Sequence, residues 1–589
     1  MNALLKLLAR NTANFIIAMI PLAFYQPFYD PFGPAQLSVA RIFIPLLALA
    51  AAYFAFRSRE AIAITSSAAL PLTVYCLICF LSVIPAINRE ISLKYSYEML
   101  IFIGGAVLMH SFAGEKGMRR LLTIVIAVNA VNGTYGVMQH FGIDPFSWNT
   151  NFAGRPMGTI GNPDFYAGQL LLGAFLSAGR IIYEKKYRLL NIILLVPVLL
   201  SLIYARVVGA WIGFIAGATF MYIAHITFKP AYRKQLIIAA VIIAAVAASV
   251  SPYALKKIGE SKKRSIDHRL IMWKAAVDMF AEKPVLGKGM GMYRLNYPKY
   301  QAVLLNESKD KSVDYVVTWM PHQNYLLVLA ETGLLGLLAL LWAFVLFVKG
   351  SASAMKEDKK DSFGMSAAVF AVLGASLVNT FYNIPATTLY FFLFITALSF
   401  KKRALPIRGL MLKTVVAAAA VLLAYSVFQD SRTLLSNVYL KKANKLADQD
   451  MHAKAIEMYS RIISMKPVEL NPQADVGMYY FAAESHRKAG MPEKARELYA
   501  MDLAINPFCP EVNNMYGAIS GQLGDLDTAV KHIKTAVYAA PHYEAAYTNL
   551  ATAYMAKGDR ASAREALQRY IEYNGTNERI EYLLKAAGK

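Results

Sequence analysis

The chain has 589 residues, of which 57% are hydrophobic and only 17% charged, less charge than a soluble protein of this size carries on its surface. Its formal charge of +23 invites a nucleic-acid reading, but from Asp430 onward there are 20 Lys and Arg against 19 Asp and Glu. About +1 therefore lies in the tail and +22 in the apolar part before it, which argues against nucleic acid and for a topology signal.

Apolar runs long enough to cross a bilayer as helices fall near 12–25, 38–56, 67–86, 97–113, 119–139, 164–183, 189–205, 207–227, 235–252, 323–348, 364–382, 384–400 and 409–428. The pair flanking Pro385 has one broken helix as its alternative reading. The N-terminal run lacks a small-residue cleavage site and reads as a retained first span. Basic residues cluster in alternate short loops, at Lys6/Arg10, Arg57/Arg59, Arg119/Arg120, Lys185/Lys186/Arg188, Lys229/Arg233/Lys234, Lys356/Lys359/Lys360 and Lys401/Lys402/Arg403. Positive-inside logic puts the N-terminus in the cytoplasm and, with thirteen spans, the long 253–322 loop and the tail outside. The predicted class is all-α, a polytopic transmembrane bundle over 1–430 followed by a helical array over 436–589. Cys76 and Cys79 form C-x-x-C within an apolar span, and Cys509 has no evident partner; all three read as packing residues.

Arg206, in Tyr204-Ala-Arg206-Val-Val-Gly209-Ala-Trp211, sits at the outer end of a span, where an arginine is costly unless paired, snorkelling or facing a polar cavity. In the long loop, Ile266, Leu270, Trp273, Val277 and Phe280 have helical spacing, with Arg269 at the edge of that stripe. Pro284 ends the helix, and Gly287-Lys-Gly289-Met-Gly291 follows. No strand precedes these glycines and no Lys-Ser/Thr closes them, so a turn or a backbone concavity for an anion is expected rather than a nucleotide loop.

Pro321 then marks the start of the helix bearing Glu331, Gly333 and Gly336, with His322 near its first turn. At about 100° per residue Gly333 and Gly336 fall on the His322 face, where small residues admit a neighbouring helix. A neutral histidine there is able to accept a proton from a hydroxyl, and free N–H groups at the helix start favour an anion. A histidine that merely caps the helix is the bland alternative. Arg206, Arg269 and His322 at one surface suit a diphosphate, which guanidinium groups bind in bidentate fashion.

In the tail, Gly490, Gly524 and Gly558 are spaced by 34 residues, as are Ala495, Ala529 and Ala563, and Pro507 and Pro541. Glycine at a turn, alanine where helices touch and proline at the unit end make the tetratricopeptide signature. An earlier unit shows around Ala455 and Pro467, displaced by an insertion near 469–473. The array offers a concave surface to a protein or polymer partner, or serves as a rigid spacer. The tail histidines His452, His486, His532 and His542 share no metal-ligand spacing.

His322-Gln323, nine residues and Gly333-Leu-Leu-Gly336 resemble the signature of the O-antigen ligase and polymerase superfamily. In the same order, Arg155-Pro-Met-Gly-Thr-Ile-Gly161-Asn162-Pro-Asp164, Arg206-Val-Val-Gly-Ala-Trp and Arg269-Leu-Ile-Met-Trp273 leading to Pro284-Val-Leu-Gly287-Lys-Gly289 are similar to that family. The resemblance covers roughly residues 10–405; Ala205 stands where members usually carry serine before the arginine.

The resemblance implies a multi-pass protein of the bacterial inner membrane, a metal-independent, inverting glycosyltransferase of the GT-C type that needs no cofactor. Its donor would be a glycan on undecaprenyl diphosphate, and its acceptor a lipid A core or another surface hydroxyl, as in lipopolysaccharide biosynthesis. Arg206 and Arg269 would carry the departing diphosphate, and His322 would orient or deprotonate the acceptor. Arg155, Asn162 and Asp164 would line the same cavity, with Arg294 and Glu331 as further substrate-binding candidates. Tyr293, Arg294, Tyr297 and Trp319 suit sugar contact, though an interfacial aromatic belt is favoured. A polysaccharide polymerase and a protein O-oligosaccharyltransferase share this active-site logic and stay open. A flippase fits less well, since no internal symmetry appears before residue 430.

Overall fold

The computed structural model describes residues 2–58, 62–148, 152–228, 260–308, 313–380, 384–399, 401–466 and 477–588. The expected span at 235–252, the basic residues of 229–234, Pro467 and the 469–473 insertion lie outside the described residues. Among the described residues the chain is helical apart from one two-stranded antiparallel ribbon, β1 (Ile62–Ser66) with β2 (Lys401–Ile407).

The apolar half begins with α1 (Asn2–Met19), α2 (Gly33–Ser58), α3 (Ala69–Leu81), α4 (Arg89–His140), α5 (Pro163–Tyr183), α6 (Arg188–Ala205) and α7 (Val208–Phe228). After α8 (Glu260–Glu282) and α9 (Tyr293–Glu307), it closes with α10 (Asn324–Lys356), α11 (Ser362–Ala375), α12 (Pro385–Leu398) and α13 (Gly409–Asp448). Seven of these are long and apolar enough to cross a bilayer, and α3, α11 and α12 are shorter apolar helices. α4 accounts for two expected spans, because Gly114 breaks it at φ 56°, ψ −174°. Its two ends return to one place: Lys94 and Tyr95 near its start line the same cleft as Ser147 and Trp148 just beyond its finish. The residues flanking Pro385 form two separate helices, α11 and α12, rather than one broken one.

The bundle therefore has two distinguishable ends. One carries the β ribbon, the Arg119–Glu184 ion pair and Arg180, which is bonded to Asp361 and Thr123. The other carries α8, α9, the loop with His322 and the tail. Between them α2, α4 and α13 are tied by a buried cluster, in which Arg41 pairs with Glu98 and, at 2.8 Å, with Asp430. Buried opposite charges on three helices replace hydration that the interior cannot supply.

α13 runs unbroken through the expected boundary at 430–436 and becomes the first helix of the tail. The tail continues with α14 (His452–Met465), α15 (Met478–Lys488), α16 (Pro492–Ile505), α17 (Pro510–Gln522), α18 (Leu526–Ala539), α19 (Glu544–Ala556), α20 (Arg560–Asn574) and α21 (Glu578–Gly588). The repeat glycines turn each helix pair with left-handed φ of 77°, 85° and 82° at Gly490, Gly524 and Gly558. Each following N–H bonds five residues back, Met491 to His486, Asp525 to Ser520 and Asp559 to Tyr554, which caps the C-terminal end of the helix. Asp450, at φ 56° with Met451 bonded to Leu446, makes the same turn in the first unit without glycine. Ala455, Ala495, Ala529 and Ala563 are fully buried where the helices touch.

The tail docks on the 260–322 segment. Tyr538 and Arg569 both bond to Asn306 of α9, and the His542 Nε2 lies 3.1 Å from the Val313 carbonyl oxygen.

Candidate functional site

α8 is amphipathic, but the packed stripe is not the expected one. Met272, Ala275, Ala276 and Met279 are buried, while Ile266, Leu270 and Val277 are exposed. The small alanines let α8 approach Tyr293, Tyr297 and Met320 closely, so the bulkier stripe faces outward. Tyr293 and Tyr297 are core residues here, Tyr293 donating to the Met272 carbonyl at 2.9 Å, and form neither a sugar platform nor an interfacial belt.

The glycine run is a clasp around a broken helix. α10 is interrupted at Gly333, with φ 66° and ψ −166°, so Gly333 and Gly336 do not continue a face from His322. A Cβ on Gly333 would stand 2.3 Å from the Val285 carbonyl oxygen, and one on Gly287 2.4 Å from the Glu331 carbonyl carbon. Lys288 and Gly289 donate their N–H groups to the Ala330 and Glu331 carbonyls. The backbone concavity is filled by the protein's own side chain. The Glu331 carboxyl group accepts from the N–H groups of Gly291 and Tyr293, capping α9. Beside it, Glu282 pairs with Lys288 and Tyr300, contacts that hold its carboxyl down at about 2.

His322 precedes α10 in a left-handed conformation, at φ 50°. Four contacts fix the neighbouring backbone. Trp273 donates its indole N–H to the Pro321 carbonyl at 2.9 Å. Gln323 caps α10 by accepting from Leu326 N–H at 2.5 Å. Asn324 bonds to Ser376 at 2.7 Å, and Tyr325 bonds to the Leu373 carbonyl at 2.9 Å. The imidazole Nδ1 lies 3.5 Å from Asn379 Oδ1. Burial first, and then the Arg269 charge, hold His322 below its usual value, opposed by Asp164 and the Asn379 amide. Arg269 is one helical turn before Trp273, on the same side of α8.

Arg155 donates to the Asp164 carboxylate at 2.7 Å and to the Ala205 carbonyl at 2.8 Å. Ala205 is the residue before Arg206, which terminates α6 at φ 54° with its side chain exposed. The turn continues to Gly209, where a Cβ would meet that of Asn379 at 3.1 Å. Asn379 thus links the Arg206 turn to His322. Asn162 accepts from Asp164 N–H at 2.8 Å, capping α5.

Arg155, Asp164, Arg269, His322 and the backbone turn that bears Arg206 are accordingly brought together. Asn162, Arg294 and Glu331 line an adjoining cleft of about 470 Å³, with Trp319 and Met320 on its wall. Asn379 and Trp273 were not given this role by sequence reasoning. Asn379 comes from a segment with no motif, and Trp273 looked like part of an apolar stripe. His140 was also missed; it stacks on Tyr204 at 3.9 Å beside Arg206.

The O-antigen ligase family matches residues 171–341, and a tetratricopeptide repeat family matches residues 522–587. A Rickettsia bellii protein named "Putative polysaccharide ligase" is 28% identical over 174 residues, which are 28% of this chain and 41% of that protein. The chain thus spans less than half of that relative's length. Among solved structures, the chain is similar to MamA protein (17% identity, 26% of this chain and 80% of that one, TM-score 0.24). It is also similar to YrrB, a TPR protein with an unusual peptide-binding site (18% identity, 29% and 83%, TM-score 0.24). The resemblances read from the motifs, to O-antigen ligases and to tetratricopeptide repeats, both hold.

Proposed function

We propose that this O-antigen ligase-like membrane protein is an inverting glycosyltransferase that moves a glycan from undecaprenyl diphosphate to an acceptor hydroxyl at the extracytoplasmic face. One observation carries the reading. The fold gathers His322, Arg269, Asp164, Arg155 and the Arg206 turn from four separate parts of the chain.

In this reading Arg206 and Arg269 bind the diphosphate and stabilise the charge it gains as the anomeric C–O bond breaks. Arg155 is engaged by Asp164 and the Ala205 carbonyl, so it positions the Arg206 turn. His322, neutral through its burial and the nearby Arg269 charge, accepts the acceptor hydroxyl proton while that oxygen attacks the opposite face of the anomeric carbon. The two arginines supply the positive charge that a metal ion would otherwise bring, so the transfer is metal-independent. The basic loops at the ribbon end support placing that end in the cytoplasm, with the site and the tail outside.

The test is transfer by the purified, lipid-reconstituted chain from an undecaprenyl-diphosphate glycan to lipid A core. His322→Ala, Arg269→Ala and Arg206→Ala should each lower turnover, by about a hundredfold or more for His322, and EDTA should leave it unchanged. Growth of the glycan on its carrier instead of transfer to the acceptor would identify a polymerase.

A further inference from the structure

α8 carries two apolar sectors. Met272, Ala275, Ala276 and Met279 pack on α9 and α10, while on the opposite side Ile266, Leu270 and Val277 are exposed, flanked by the half-buried Trp273 and Phe280. At about 100° per residue these outward residues form one band, and the exposed Lys274–Asp278 ion pair, at 3.2 Å, lies beside it. A helix face turned to water would carry polar residues where this band stands. The tail does not cover it: with the repeats docked on α9 and Val313, the three aliphatic residues stay exposed.

The place of α8 in the fold decides what does. Near its middle, Trp273 bonds to the Pro321 carbonyl beside His322, whose neighbour Asn379 meets Gly209 at the start of α7. Just beyond its end, the Pro284 and Val285 carbonyls accept the N–H groups of Leu334 and Leu335 at 2.8 and 3.4 Å. Those leucines open the part of α10 that follows the Gly333 break. From Leu334 to Lys356 it is about 34 Å long, enough to cross the hydrocarbon core, and α7 is also of bilayer length. α8 is therefore held at two points, roughly 15 Å apart along the chain, each at the end of a spanning helix. It lies along the membrane surface and does not project from it. Its band also continues into a lipid-facing one. Exposed Val285 joins it to α10, where Leu334, Leu338, Leu341, Val345 and Val348 run exposed down one side of the span.

We propose that α8 is an interfacial helix, with its Ile266, Leu270 and Val277 band seated among the lipid acyl chains of the leaflet on the His322 side and its Lys274–Asp278 face at the water. Lipid is the occupant because the α10 stripe that the band continues faces lipid. Arg269 falls between the band and the packed alanines, so this seat sets it at the level of lipid phosphate groups. That consequence rests on the glycosyl-transfer reading; the seat itself stands on the packing of α8.

The experiment places spin labels on the full-length protein in lipid nanodiscs large enough for two copies, at Ile266→Cys, Leu270→Cys and Val277→Cys, with Lys274→Cys and Asp278→Cys as the water-facing comparison. The native Cys76, Cys79 and Cys509 are buried. Collisions are measured with oxygen, which concentrates among acyl chains, and with a water-soluble nickel chelate. The three band labels should lose most of the nickel accessibility seen at 274 and 278 and gain oxygen accessibility, at a depth of about 5–10 Å into the headgroup–acyl boundary. Nickel accessibility equal to that at 278 would put the band in water and overturn the proposal. Low accessibility to both reagents would put it against protein, with spin–spin broadening if that protein is a second copy, and would overturn it equally. This readout uses no glycan, so it fails or holds apart from the transferase reading. In the transfer assay, Leu270→Asp combined with Val277→Asp should raise KM for the lipid-linked donor about tenfold while the unfolding temperature changes little. An unchanged donor KM would overturn the placing of Arg269 by the seat.

Discussion

Trp273 of α8 donates its indole N–H to the carbonyl oxygen of Pro321, 2.9 Å away and one residue before His322. The loop helix thereby holds the backbone from which the imidazole projects, at a φ of 50° that few non-glycine residues adopt. Trp273→Phe keeps most of the ring and removes the donor. Turnover should fall roughly ten- to a hundredfold, as expected for a misplaced catalytic group, while the unfolding temperature changes little. Unchanged turnover would mean that the other contacts of the loop fix His322 without Trp273.

The pH dependence follows from the charges around His322. Its ordinary value is 6.5, and burial and Arg269 lower it. A base works only when neutral, so activity should persist at mildly acidic pH and fall below 6.5 as the imidazole takes up a proton. Removing Arg269 removes a repelling charge, so the acidic limb of residual activity in Arg269→Gln should move to higher pH. Removing Asp164 removes an attracting charge, so Asp164→Asn should move the limb to lower pH. Shifts in the opposite directions would contradict the assignment of the limb to His322.

Two glycines of similar backbone conformation should respond differently. Gly333 has φ 66° and faces the Val285 carbonyl at 2.3 Å from a built Cβ, whereas Gly490 has φ 77° and nothing within 4 Å. Gly490→Ala should cost about 1 kcal/mol, from strain alone. Gly333→Ala adds a backbone clash to comparable strain and should cost roughly 3 kcal/mol or more, and it should displace the clasp that carries Glu331. Thermal unfolding of the reconstituted protein checks both.

The Arg41 cluster makes a stability prediction independent of catalysis. Arg41→Met leaves Glu98 and Asp430 buried without their shared cation, and should destabilise the fold by about 3–5 kcal/mol. Adding Glu98→Gln and Asp430→Asn removes the two negative charges that Arg41 offsets and should recover much of that loss. A triple variant no more stable than Arg41→Met would show that the cluster's cost lies in packing rather than charge.

Much of this was legible in the sequence because it is periodic or local. The 34-residue spacing of Gly490, Gly524 and Gly558 reports a turn that each repeat needs, and the structure shows that turn in all three. Asp450 was illegible because an aspartate also tolerates a left-handed φ, so the first unit lacks the expected glycine. The candidate site was legible as motifs, since His322, Arg206 and Arg269 each stand out chemically in an apolar chain. Asn379, which links two of them, has no local signal; only packing brings it to His322. The stripe of α8 was misread because large apolar residues dominate a pattern, while the face that packs is set by Ala275 and Ala276. Glu331 is a substrate-binding candidate in the sequence, yet its oxygens accept from the N–H groups of the adjoining turn.

In the proposed glycosyl transfer His322 is the base and Arg206 and Arg269 are the diphosphate ligands. The most direct measurement is single-turnover transfer by the reconstituted chain, with a saturating undecaprenyl-diphosphate glycan and lipid A core, comparing wild type with the three alanine variants. His322→Ala should still bind the donor but transfer at least about a hundredfold more slowly, and both arginine variants should lose donor affinity as well as rate. Transfer at the wild-type rate in His322→Ala, or undiminished donor binding in Arg206→Ala and Arg269→Ala, would contradict it.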